Sequence, residues 1–174
     1  MTICRPFQRA RATLLVLTVV AATGISGMAL ARDSLGIFGE WGAFRDPATP
    51  RCYAIAKALP STLRRDYQPY ATVGTWPKRK LRNQVHFRMS RKMAANPRLS
   101  LKIGGKSHKL TGGGGDAWAA DDRMNAAITA AMRSASSMTV SASDAQGKRF
   151  SNTWRLRGAA SAMDAAAIGC ARLR

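Results

Sequence analysis

Cysteines, histidines and a dense run of cations are the residues of this chain with most chemistry to offer. Cys52 and Cys170 stand 118 positions apart. A redox or nucleophilic thiol pair works as a low-pKa thiolate, commonly in Cys-x-x-Cys, and that spacing is missing. The chemistry left to the pair is a disulfide or a lone reactive thiol. His86 and His108 are the only histidines. With a carboxylate they could ligate a metal, but no third ligand is fixed by the pattern, and they read as polar-face or turn residues. Asp121 and Asp122 are adjacent, so on a helix they point apart; they read as capping groups, not as an acid–base pair. Gly104-Gly105-Lys106-Ser107 has the ending of a phosphate-binding loop, but the glycine required five residues before Gly105 is Ser100. Gly112–Gly115 lacks the strand–helix frame of a dinucleotide site and reads as a flexible loop. No Gly-x-Ser-x-Gly turn is present. No enzyme activity, cofactor or metal is expected.

The charge is the strongest feature. Twenty-eight Lys and Arg face nine Asp and Glu over 174 residues, a formal net charge of +19. Between Tyr67 and Gly115 there is no acid, and eleven cations fall in that span. Lys78, Arg79, Lys80, Arg82, Arg88, Arg91 and Lys92 are its densest part and the candidate anion-binding residues. Their field would draw in anionic polymers or head groups. Trp76, Phe87 and Trp118 stand near these cations and could stack on a ligand; they read rather as core residues.

The first 31 residues look like an address. Arg5, Arg9 and Arg11 precede an apolar run from Thr13, and Ala29-Leu30-Ala31 has the small-x-small form of a cleavage site. That is the layout of a secretory signal peptide. The alternative, a retained anchor, suits the run less well because Gly24, Ser26 and Gly27 dilute it. Cleavage after Ala31 leaves 143 residues with 25 basic against 9 acidic groups, a charge of +16. The expected destination is the periplasm or the outer envelope, or secretion. The mature chain keeps two cysteines, and an oxidising compartment favours joining Cys52 to Cys170.

The elements that must position these groups follow from the periodicity. Ile37–Phe44 and Cys52–Leu59 read as strands joined by a Pro-rich connection, and Tyr67–Trp76 stops at Pro77. Val85, Phe87 and Met89 alternate with His86 and Arg88; Leu99, Leu101 and Ile103 alternate with Ser100 and Lys102. Both are half-buried strands. Gly104-Gly105 turns into a strand at Ser107–Leu110. From Asp121 to Ala135 the period becomes helical, with Met124, Ala127, Ile128, Ala131 and Met132 on one stripe. Met138–Ser143 and Phe150–Leu156 predict a second hairpin, and Ala159–Ala171 a C-terminal helix. Seven or eight strands in neighbouring runs with two helices predict one β-rich α+β domain over 32–174. Its sheets should be antiparallel and sandwich-like.

Several of these pieces together resemble the invasion-associated locus B family of exported bacterial proteins. The resemblance runs through Phe38-Gly39-Glu40-Trp41, Cys52-Tyr53, and Ile103-Gly104-Gly105. It continues through Ala117-Trp118, Asp121, Ala131-Met132-Arg133 and Ser136–Val140, and closes with Gly147, Thr153–Leu156, Gly158 and Cys170. It departs at Gly42–Arg45, where many members carry a further cysteine, and in the small residues Ala159 and Ala160. It implies an exported, non-enzymatic, β-rich domain. The expected partners are therefore anionic envelope or host-surface components, met through a basic face, with any membrane contact peripheral. General nucleic-acid or polyanion binding is the alternative, and export makes nucleic acid the lesser candidate.

Overall fold

The structure, a computed structural model, describes residues 32–171. The expected leader and its expected cleavage after Ala31 lie outside the described residues. Eleven strands are present: β1 (Asp33–Phe38), β2 (Trp41–Asp46), β3 (Arg51–Lys57), β4 (Tyr70–Trp76), β5 (Leu81–Arg88), β6 (Ser100–Ile103), β7 (Lys106–Lys109), β8 (Thr111–Gly113), β9 (Asp116–Trp118), β10 (Ser137–Ser143) and β11 (Arg149–Arg155). The helices are α1 (Asp122–Met132) and α2 (Ala159–Ala171). Seven strands form one antiparallel sheet in the order β1-β2-β3-β4-β5-β9-β8, and four form another, β11-β10-β6-β7. The chain is thus a β-rich α+β fold with two antiparallel sheets, as the alternation implied.

The inner face of the large sheet is covered in two ways. Over β1–β4 lies α2, packed on Trp41, Ala43, Cys52 and Ala54. Over β5 lie the small sheet and α1; the rings of Phe87 and Trp154 meet there at 5.4 Å. Trp41, fully buried, donates its Nε1 proton to the Arg155 carbonyl at 2.9 Å and so links the two sheets. Cys52 and Cys170 are disulfide-bonded, with Cα atoms 5.6 Å apart, which fastens β3 to the end of α2.

Three local expectations change. Ile37–Phe44 is two strands, because Gly39 and Glu40 turn the chain between β1 and β2. The glycine run is a tight hairpin, β8–β9, instead of a flexible loop. Gly112 (φ 154°) passes so close to Asp116 that a Cβ would sit 2.1 Å from its carbonyl oxygen, a position only glycine can fill. The Met93 and Met89 N–H groups donate to Gly114 and Gly115 carbonyls at 2.5 and 2.7 Å and hold the turn in place. The buried stripe of α1 is Asn125, Ile128, Thr129 and Met132; Met124 and Ala131 are half-buried and Ala127 is exposed. Asp121 caps this helix, its Oδ1 accepting the Met124 N–H at 2.7 Å.

Candidate functional site

Alternation along a strand sends successive side chains to opposite faces, so each sheet has an outer face of its own. On the small sheet the register sets Lys109, Ser100, Ser141 and Ser151 in one row, and Ser107, Lys102, Thr139 and Thr153 in the next. Ser143 with Arg149 and Ser137 with Arg155 complete the face. Every outward position is therefore Ser, Thr, Lys or Arg. None of the nine acidic residues of the chain lies on these four strands. Ser100 and Ser107 hydroxyls meet at 3.0 Å, and those of Thr139 and Thr153 at 2.9 Å. Arg155 is 3.6 Å from Glu40; among the described residues Lys102, Lys109 and Arg149 form no ion pair.

The outer face of the large sheet is different. It carries Phe44, Tyr53, Ile55, Tyr70, Trp76, His86 and Trp118. Phe44 stacks on Tyr53 at 5.8 Å, and the Arg51 guanidinium lies 4.8 Å over the Tyr53 ring. His86 sits between Tyr70 (5.8 Å) and Trp118 (5.2 Å). Two of these rings, Trp76 and Trp118, were expected in the core with Phe87. Only Phe87 is there; Trp76 is half-buried and Trp118 is 37% exposed. In the sequence Tyr53, Ile55, Tyr70 and Trp76 alternate with Cys52, Ala54, Ala56 and Ala71, apolar on both sides, so the period alone does not tell which side is core. The small residues point inward because α2, itself rich in alanine, packs against them.

The seven candidate cations fall in two places. Lys78, Arg79, Lys80 and Arg82 are exposed together at the β4–β5 turn, where Pro77 opens a single 3-10 turn and Lys80 takes a left-handed conformation (φ 55°). Arg88, Arg91 and Lys92 stand at the other end of β5, roughly 20 Å of strand away. Arg88 is engaged already: it pairs with Asp116 and lies 4.0 Å over Tyr67. Arg91 is engaged too, 2.9 Å from Asp144 and 3.0 Å from the Arg64 carbonyl. Lys92 is exposed.

Two buried carboxylates anchor the ends of the faces. Asp144, in the β10–β11 turn, is opposed by burial, yet the N–H groups of Lys148 and Gln146 and the Arg91 guanidinium outweigh it and hold its pKa below the usual value. Asp46, at the β2–β3 turn, is likewise opposed by burial and lowered on balance by the Thr49 N–H and by Arg51.

His86 and His108 lie on different sheets; His86 Nε2 is 2.9 Å from Asp116. Among the described residues no three His, Cys, Asp or Glu gather as a metal site. No helix there is long and apolar enough to cross a membrane. In comparisons with family profiles, curated proteins and solved structures, the chain matches none.

Proposed function

We propose that this chain is an exported, non-catalytic binding module of the invasion-associated locus B type. Its role is to contact anionic envelope or host-surface components through the outer face of the small sheet, with the Lys78–Arg82 tip as a second contact. The observation that carries this reading is the composition of that face: hydroxyls and cations at every outward position, and no carboxylate. Hydroxyls donate to phosphate or carboxylate oxygens, and unpaired cations supply attraction at no cost of breaking an internal pair. The Cys52–Cys170 bond fits an oxidising compartment, and the leader pattern in residues 1–31 supports export.

Vesicles test the reading. The protein should sediment with phosphatidylglycerol vesicles and not with phosphatidylcholine alone. Replacing Lys102, Lys109 and Arg149 together by Gln should weaken binding about a hundredfold at low salt, since each such cation near an anionic surface contributes ~1 kcal/mol. Binding should vanish near 1 M salt, where the screening length is about 3 Å. Equal binding by the triple variant and the parent overturns the assignment to this face. Tighter, equally variant-sensitive binding to duplex DNA would favour the nucleic-acid reading instead.

A further inference from the structure

The outer face of the large sheet holds a trough of about 480 Å³, within the size range of small-ligand sites. Its floor is Ile55, Thr72 and Gln84. One wall is Trp76 with Tyr53 and Arg51; the other is Tyr70, His86 and Trp118. Trp76 is placed by Gly74, whose missing side chain makes room for the indole: a Cβ there would stand 2.6 Å from two of its ring carbons. The Thr72 hydroxyl and the Gln84 amide line the trough and can bond a ligand there.

The electrostatics narrow the ligand. The trough lies in a strongly basic chain, yet its own charges are mostly paired, three guanidiniums against two carboxylates. Arg32 and Arg51 share Asp46, at 3.6 and 3.3 Å. His86 and Arg88 share Asp116. A polymer dense in phosphate would find few free cations inside the trough; the exposed Lys78–Arg82 tip begins only beyond its Trp76 wall. Aromatic walls with a near-balanced charge and a polar floor suit a flat, uncharged ligand that has apolar faces and hydroxyl edges. A pyranose ring has that form: its C–H groups meet the electron-rich faces of the rings, and its hydroxyls meet Thr72, Gln84 and His86.

We propose that this trough is a saccharide-binding site that takes a neutral hexose or N-acetylhexosamine unit of a polysaccharide. It lies on the other sheet from the Lys102, Lys109 and Arg149 face and does not depend on those cations.

The test uses triacetylchitotriose, cellotriose and maltotriose with the purified chain, read by tryptophan fluorescence and calorimetry. Trp76 and Trp118 are the partly exposed indoles; Trp41 and Trp154 are fully buried, so a saccharide-induced emission change reports the trough. At least one trisaccharide should bind with Kd below about 1 mM. Affinity should be indifferent to salt that abolishes vesicle binding. Trp118→Ala, a half-exposed position, should weaken binding about tenfold while the fold is kept. Gly74→Ala, which leaves every ring in the sequence but displaces Trp76, should also weaken it. The Lys102, Lys109 and Arg149 variant should bind sugar normally, so the two assignments fail separately. Absence of binding by all three trisaccharides overturns the proposal. So does an affinity unchanged in both Trp118→Ala and Gly74→Ala, or displacement of the sugar by a short oligothymidylate that binds more tightly in the same trough.

Discussion

The two outer faces of this sandwich are built from the same alternation and end with opposite chemistry. On the small sheet, large residues such as Leu101, Ile103, Val140 and Trp154 point inward, and hydroxyls and cations point out. On the large sheet, β3 turns Cys52, Ala54 and Ala56 inward and Tyr53 and Ile55 outward, and β4 turns Ala71 and Val73 inward and Tyr70 and Trp76 outward. The cause is what covers each inner face. A second sheet packs about 10 Å away and needs bulky side chains to fill the gap. An alanine-rich helix can approach more closely, and small residues let it do so. The disulfide at Cys52 strengthens the same arrangement, since its partner Cys170 is buried on that helix. One face is therefore free to be polar, and the other has aromatic residues left over for its surface.

The largest effect that bears on this contrast comes from the disulfide. Replacing Cys52 and Cys170 by alanine opens a loop of 118 residues, which the chain-entropy estimate values at ~4–5 kcal/mol of stability. Denaturant unfolding should show that loss. Hydrogen exchange should place the first loosening in β2–β4, under the aromatic face, with β6, β10 and β11 protected longer. Equal loosening of both sheets would mean that the faces do not stand on separately stabilised units.

Much of this was legible in the sequence. The period-2 runs at Val85–Met89 and Met138–Ser143 located strands and their inner faces, and Ala159–Ala171 was read as a helix with the bounds found. The disulfide followed from the cysteine count once export was assumed. Two things were hidden. Hairpins closed by glycine, at Gly39 and at Gly112–Gly115, have strands of only three to six residues, too short for a period to show. The aromatic face was hidden because the hydrophobic alternation of β3 and β4 has apolar residues on both sides. Which side is core depends on the size of the element that packs there, and that element is about a hundred residues later in the chain. The basic face is half legible: the alternation of Lys102 with Leu101 and Ile103 turns it away from the core, but Lys109 and Arg149 join it only through pairing of distant strands.

A smaller effect separates the faces through two buried asparagines. β9 pairs with β5 only from His86 to Arg88, so the Val85 N–H donates to Asn125 Oδ1 of α1 at 2.9 Å. At the far end of the strand the Ser90 N–H donates to Asn152 Oδ1 of β11, also at 2.9 Å. Alanine at either position leaves a backbone N–H without its partner, at a cost of about 1–3 kcal/mol. Thermal unfolding should show similar losses for the two. Asn125→Ala should in addition weaken sugar binding, because the strand it steadies carries Gln84 and His86. Asn152→Ala, at the junction of the sheets, should leave sugar affinity nearer the parent. The reverse order would break the link between β5 and the trough.

The smallest effect is acid sensitivity, and it sets Asp46 against Asp144. Each carboxylate ends a hairpin, one beside each face, and each is ionised more readily in the folded chain than in the unfolded one. A lowered folded pKa means that the stabilisation is fully present above the unfolded value, near 3.8, and is lost as pH falls through the folded value. Stability should thus be flat from neutrality to about pH 4 and decline below it. Asp144→Asn keeps an oxygen for the Lys148 and Gln146 N–H groups but removes the pair with Arg91. It should cost stability at neutral pH and flatten the acid decline. Asp46→Asn should do the same and, in addition, release Arg32 and Arg51 beside the trough. The released cations should make trisaccharides that carry a carboxylate bind better relative to neutral ones. An unchanged preference would show that Arg51 is held over Tyr53 by the ring and not by Asp46, and the charge balance of the trough would then have a different origin from the one that distinguishes it from the basic face.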